Sequence, residues 1–281
     1  MIDASMLSFL APCFAASLIL AGIHAYLGVH VVERGVIFVD LSLAQIAALG
    51  ATIALLLPWS NGDPHAPMVY WIRRAFTFMG AFIFSTIRSK HGRIPQEAII
   101  GICYAVASAA AILAMSKATS ESEHLKDMLV GNILAVSWPE VTKTALLYGA
   151  IGAFHYIFRD KFLAISMSHE KAEAAGLNVK FWDFLFYASF GFVVTSSVSI
   201  AGVLLVFSYL IVPSVAAMLY ADTIGKRLAI GWTMGTIVSA LGVFLSLKVD
   251  LPTGATIVCT FGLVLAIMAA VRPLIQRNAV S

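Results

Sequence analysis

The chain has 281 residues, of which 60% are hydrophobic and only 12% charged, with a net charge of +3 and a mean hydropathy of +0.91. A water-soluble domain of this length has no interior large enough for so much apolar side chain, and a nucleic-acid reader needs concentrated positive charge. Both classes are excluded, and the composition is that of a polytopic membrane protein.

Nine apolar segments follow in chain order, at about 7–31, 36–57, 67–87, 95–115, 140–158, 182–200, 203–221, 228–247 and 253–271. The N-terminus "MIDASM" lacks a basic region, so the first segment is expected to stay as a helix and not to be removed as a signal peptide. The second, "VIFVDLSLAQIAALGATIALLL", carries Asp40 and Gln45. A lone carboxylate in a bilayer core costs a few kcal/mol, so these residues need a partner or a use. The third contains Arg73 and Arg74, and its apolar part begins either at Pro67 or near Ala75. The runs are continuous, not alternating, which predicts helices and not a β-barrel. The expected fold is an all-α, polytopic integral membrane helix bundle of nine crossings, or eight if one segment is miscounted, with residues 1–281 forming one transmembrane domain.

Lys and Arg set the orientation. With the C-terminus inside, the cytoplasmic loops hold twelve of them and the outer side six, which predicts N-terminus out and C-terminus in. Cys13, Cys103 and Cys259 lie inside apolar runs without C-x-x-C spacing and read as small buried residues. Gly231, Gly235 and Ser239 form a small-residue stripe suited to close helix packing, with a weaker one at Ala107 and Ala111. Pro213 is expected to kink or break the seventh segment.

Two loops are more than spacers. In "SMSHEKAEAAGLNVKFWD", within 166–180 and on the cytoplasmic side, Ser168 can N-cap a short helix. Glu170 suits the helix start and Gly176 the left-handed end. From the residues alone it is an interfacial connector or a knob for a cytoplasmic partner. In "KVDLPTGATIV", Asp250 and Thr253 around Pro252 and Gly254 read as capping chemistry at a helix start.

"SHEKAEAAGLNV", "SIAGVLLVFSYLIVPSVAAMLYA" and "DLPTGATIV" resemble, in order and spacing, the C-terminal half of permease subunits of bacterial ABC importers for zinc, manganese or iron. That family typically reads D-E-x-x-A-x-x-x-G-V-N, V-G-V-L-L-V-x-x-L-L-I-I-P and D-L-P-S-G-A-T-I-V. "VGNILAVS" from Val130 to Ser137 resembles the family's F-G-x-I-L-x-V-S, and "IPQEAIIGICYAV" is similar to its fourth-helix start. The resemblance implies a multi-pass protein of the bacterial cytoplasmic membrane that pairs with a second copy or a paralogue. It implies a separate cytoplasmic ATPase, which alone handles ATP, and an extracytoplasmic binding protein that delivers the metal as substrate. No cofactor is implied, and this chain would catalyse no covalent chemistry. It also implies that Ser168, His169, Glu170, Ala172 and Gly176 lie in the loop that contacts the ATPase. The chain carries no G-x-x-x-x-G-K-[ST] of its own.

In such permeases the second helix typically carries G-D-x-L-x-H-x-x-L-P-G, an Asp and a His four apart that share a face towards an ion. Aligned on it, Gln45 stands at the His position and Leu41 at the Asp position, with the acid one residue early at Asp40. Asp40 and Gln45 are five apart, about 140° around a regular helix, and only a π-bulge would bring them to one side. Together they fit a weak transit site and not a tight zinc site. Alternatively, Asp40 pairs with Arg34 or reaches water, and Gln45 lines a subunit interface or bonds another helix. His24, His30, Glu33, Glu97 and His155 cluster towards the cytoplasmic side by the same topology, as an exit vestibule or as interfacial residues. The rival function is an ion-coupled secondary transporter using Asp40 and Glu97. An intramembrane enzyme finds no support, since neither H-E-x-x-H nor G-x-S-x-G is present.

Overall fold

The computed structural model describes residues 4–57, 60, 63, 66–87, 95–115 and 133–278. The loops holding Arg88, Lys90 and Arg93 and holding Lys117 and Lys126 lie outside the described residues. So do Val130–Asn132 of "VGNILAVS" and the side chain of Arg277.

Among the described residues there are no strands, and eleven α-helices occur. These are α1 (Ala4–Arg34), α2 (Val39–Leu56), α3 (Pro67–Ile87), α4 (Gln96–Met115), α5 (Trp138–Ile157), α6 (Arg159–Met167), α7 (His169–Ala174), α8 (Val179–Ala201), α9 (Val203–Met218), α10 (Ile224–Val249) and α11 (Thr253–Asn278). Each apolar segment of the sequence coincides with a helix. Among the described residues, five stretches are long and apolar enough to cross a bilayer: Phe9–Arg34, Val39–Leu56, Val179–Ala201, Ile224–Val249 and Thr253–Pro273. The sequence reading anticipated α7 and missed α6, whose "RDKFLAISM" mixes three charges with apolar residues and carries no clean period.

Two compact units emerge, and neither is a contiguous stretch of chain. The first comprises residues 1–32, 127–153 and 199–281, and the second 33–126 and 154–198. In the first, small residues let helices touch. A Cβ added at Gly28 of α1 would lie 1.9 Å from the Leu210 carbonyl oxygen of α9, so only glycine permits that approach. Gly235 of α10 sits on Ala21, with 2.9 Å to an added Cβ, and the Ser239 hydroxyl bonds Tyr209 at 2.7 Å. The stripe of Gly231, Gly235 and Ser239 is a packing seam. Helix α9 runs through Pro213 without ending, and Ser214 donates to the Leu210 carbonyl at 2.9 Å.

One reading in this unit is corrected. Asp250 does not cap the start of α11; it ends α10 in the left-handed conformation, φ 55°, and the Leu251 N–H returns to the Ser246 carbonyl at 3.0 Å. A short polar side chain tolerates that backbone better than most. Thr253 is no cap either, because its hydroxyl bonds that of Ser246 at 2.7 Å. Pro252 precedes the first turn of α11, as expected, and Gly254 is buried in it.

In the second unit α2 packs between α3 and α4. Helix α3 starts at Pro67, so Arg73 and Arg74 lie inside it and the shorter alternative is set aside. Their cost is reduced locally. Arg73 Nη2 donates to the Thr195 carbonyl at 3.3 Å, and the Arg74 guanidinium lies over the Phe192 and Tyr70 rings at 4.1 and 4.6 Å. The three cysteines form no disulfide, but only Cys13 is fully buried; Cys259 is exposed.

Candidate functional site

The start of α2 carries the acid that the sequence singled out. Gly35, at φ +66°, ends α1, and the chain turns through Val36–Phe38 into α2. The first turn has no local side-chain cap, and its orphan donor is met from another helix: Phe38 N–H donates to Glu97 Oε1 of α4 at 3.0 Å. Asp40 lies in that turn, 2% exposed, with its Oδ1 unpartnered. Glu97 Oε2 is likewise sealed without a partner. The two carboxyl groups are close enough to act on each other electrostatically. Both acids thus meet the start of α2, each with one oxygen that has no hydrogen-bond partner.

The other predicted ligands do not join them. Helix α2 is α-helical throughout, without a π-bulge, so Gln45 stays about 140° round from Asp40, half-buried. Arg34 is no partner of Asp40; its guanidinium is taken by Asp183. His24 belongs to the first unit, fully buried, with Nδ1–H donating to the Leu20 carbonyl at 2.8 Å and its ring edge-on to Tyr148. His155 is a core residue, stacked on Phe162 at 4.3 Å and bonded through Nε2 to Ser189. His30 stands edge-on to Tyr26 at 4.8 Å. Among the described residues no group of three His, Cys, Asp or Glu side chains could hold a metal ion.

The second segment that the sequence singled out is α7. Ser168 ends α6 and caps α7 at once, its N–H bonding the Ala164 carbonyl at 3.0 Å and its hydroxyl accepting from Lys171 N–H at 3.4 Å. Glu170 occupies the first turn. The far end closes as a Schellman turn. Gly176, at φ +80°, donates to the Glu173 carbonyl at 2.9 Å, and Leu177 N–H to that of Ala172 at 3.1 Å. Ala172 is buried and His169 half-buried, while Glu170, Lys171, Glu173 and Gly176 are exposed. The helix is fixed at both ends and offers its outer face. In the same unit, Phe162 of α6 meets Trp182 and Phe186 of α8 at 5.5 and 6.2 Å between ring centroids.

One constellation escaped the sequence reading. Arg34, at the end of α1, is buried with Nη1 donating to Asp183 Oδ1 at 2.5 Å and Nε to Ser166 Oγ at 2.8 Å. Its guanidinium lies 3.9 Å above the Phe186 ring. The available signal was Asp183 itself, an acid set among aromatics in "FWDFLF".

Comparison with known proteins gives a consistent picture. A family model described as the ABC 3 transport family matches residues 6–272. The manganese transport system membrane protein MntC of Listeria monocytogenes is 25% identical over 251 residues, covering 89% of this chain and 86% of that protein. The chelated iron transport system membrane protein YfeC of Yersinia pestis is 24% identical over 251 residues, covering 89% and 82%. Among solved structures, PsaBC from Streptococcus pneumoniae in complex with Fab superposes with a TM-score of 0.75 at 24% identity, over 92% of this chain and 90% of that one. That last likeness speaks to the fold.

Proposed function

The chain belongs to the ABC 3 transport family, and from that premise we propose that it is the membrane-spanning permease of an ATP-driven importer of divalent transition metal ions. The observation that carries the reading is the nearly end-to-end alignment with relatives named for manganese and iron transport. Nine helices cross the bilayer, N-terminus out, and the chain pairs with a second copy or a paralogue in the bacterial cytoplasmic membrane. A separate ATPase hydrolyses ATP and docks on α7, while an extracytoplasmic protein delivers the ion.

The residues divide the work. ATP-driven closure of the ATPases moves α7, and alternating access opens a path past the start of α2. There Asp40 and Glu97 offer hard oxygen donors, which suit manganese or ferrous iron better than a thiolate or imidazole set would. Two donors hold an ion loosely enough for it to leave. Gln45 faces elsewhere on α2 and takes no part in this exchange, and His24 remains packed in α1.

The test is uptake of radioactive manganese into vesicles holding this chain, its ATPase and its binding protein. ATP-dependent uptake that Asp40→Asn and Glu97→Gln each diminish is the expected outcome. Uptake that persists without the ATPase and follows a proton or sodium gradient would overturn the proposal in favour of ion-coupled transport.

A further inference from the structure

We propose that Arg34 is a positioning residue for energy coupling: it fastens the segments on both sides of the docking helix α7 to the end of the first transmembrane helix. The inference rests on the reading of α7 as the ATPase-docking element and adds the route by which its movement leaves the loop. Ser166 lies two residues ahead of the Ser168 cap, and Asp183 lies in the second turn of α8, beyond the Gly176 turn. One guanidinium holds both, at 2.8 Å and 2.5 Å, and lies 3.9 Å over the Phe186 ring.

Three features make this a strut and not an incidental surface pair. The side chains of Arg34 and Asp183 are 0% and 1% exposed, so water neither screens nor replaces the bond. Arginine is the residue the geometry needs, because a planar fork can donate in two directions and stack at once, whereas an ammonium cannot. Glu33 and Arg34 are also the sole fully charged residues of α1, and Arg34 is the buried one. A push on α7 therefore reaches α1 through a directional contact at its last residue, immediately before the Gly35 turn that leads to Asp40.

The experiment measures manganese uptake and ATP hydrolysis together in vesicles carrying the whole complex, with Arg34→Lys, Arg34→Gln, Asp183→Asn and the exchanged pair Arg34→Asp/Asp183→Arg. The ATPase should still copurify and hydrolyse ATP. Ions moved per ATP should fall about tenfold in Arg34→Gln and Asp183→Asn, in the usual range for coupling between sites, and less in Arg34→Lys. The exchanged pair should recover part of the loss. Uptake and hydrolysis falling in proportion, or an unchanged ratio in every variant, would overturn the proposal. Wild-type vesicles in the same preparation test the parent reading separately, since absent ATP-dependent uptake there speaks against transport itself.

Discussion

Gly176 and Gly28 show two different reasons for a residue with no side chain. At Gly176 nothing lies within 4 Å of an added Cβ, so the demand is on the backbone, φ +80°. Gly176→Ala should lower stability by about 1–2 kcal/mol, the usual cost of a left-handed L-residue, read as an earlier thermal melt in detergent. At Gly28 the demand is space, with the Leu210 oxygen 1.9 Å from where a Cβ would stand. Gly28→Ala should cost about 1–3 kcal/mol by forcing helices apart, and Gly22→Ala on the same helix, with open space around it, is the control. Asp40 was legible as an anomaly because an acid in an apolar run stands out in one dimension. Its closeness to Glu97 was not, since it depends on which helices pack beside α2.

Helices were read from the sequence far better than what joins them. Long apolar runs with few charges declare themselves through burial in lipid, whereas α6 rests on tertiary contacts of Phe162 and Ile165 that no periodicity announces. The Ser168 and Gly176 boundaries of α7 were foreseen because capping is local chemistry between neighbours in sequence. Asp250 was assigned to the wrong helix, since an Asp beside a Pro suits the end of one helix as well as the start of the next. Exposed Glu170 on the outer face of α7 gives the prediction at this scale. Glu170→Arg should abolish ATP-driven uptake and reduce copurification of the ATPase, with the melt of the permease unmoved. Glu97→Ala removes the acceptor for Phe38 N–H, and should cost about 0.5–2 kcal/mol as caps do, seen as a lower melting temperature alongside lost uptake.

For the whole molecule, function was readable through ordered motifs spread along the chain, and the family match over residues 6–272 agrees with them. What no motif revealed is that the chain builds two units from interleaved segments. Contacts across more than a hundred residues, such as Arg34 with Asp183, leave no trace in a local pattern. The charge asymmetry of the loops yields one more prediction. A fluorescent protein fused after Ser281 should glow, as it does when it folds in the cytoplasm, and an enzyme reporter that needs export should be active at the N-terminus. The reverse pattern would invert the assignment of α7 to the ATPase side.

Ser168 also constrains chain length. Because one residue ends α6 and begins α7, an inserted or deleted residue would turn the outer face of α7 by about 100°, besides destroying a cap. Between Arg159 and Gly176, chain length is then constrained as well as residue identity at Ser168 and Gly176, and reading-frame-preserving indels should be absent there among working relatives. The phase of a single short helix, together with the residues on its outer face, would then set the register with the ATPase proposed to dock there.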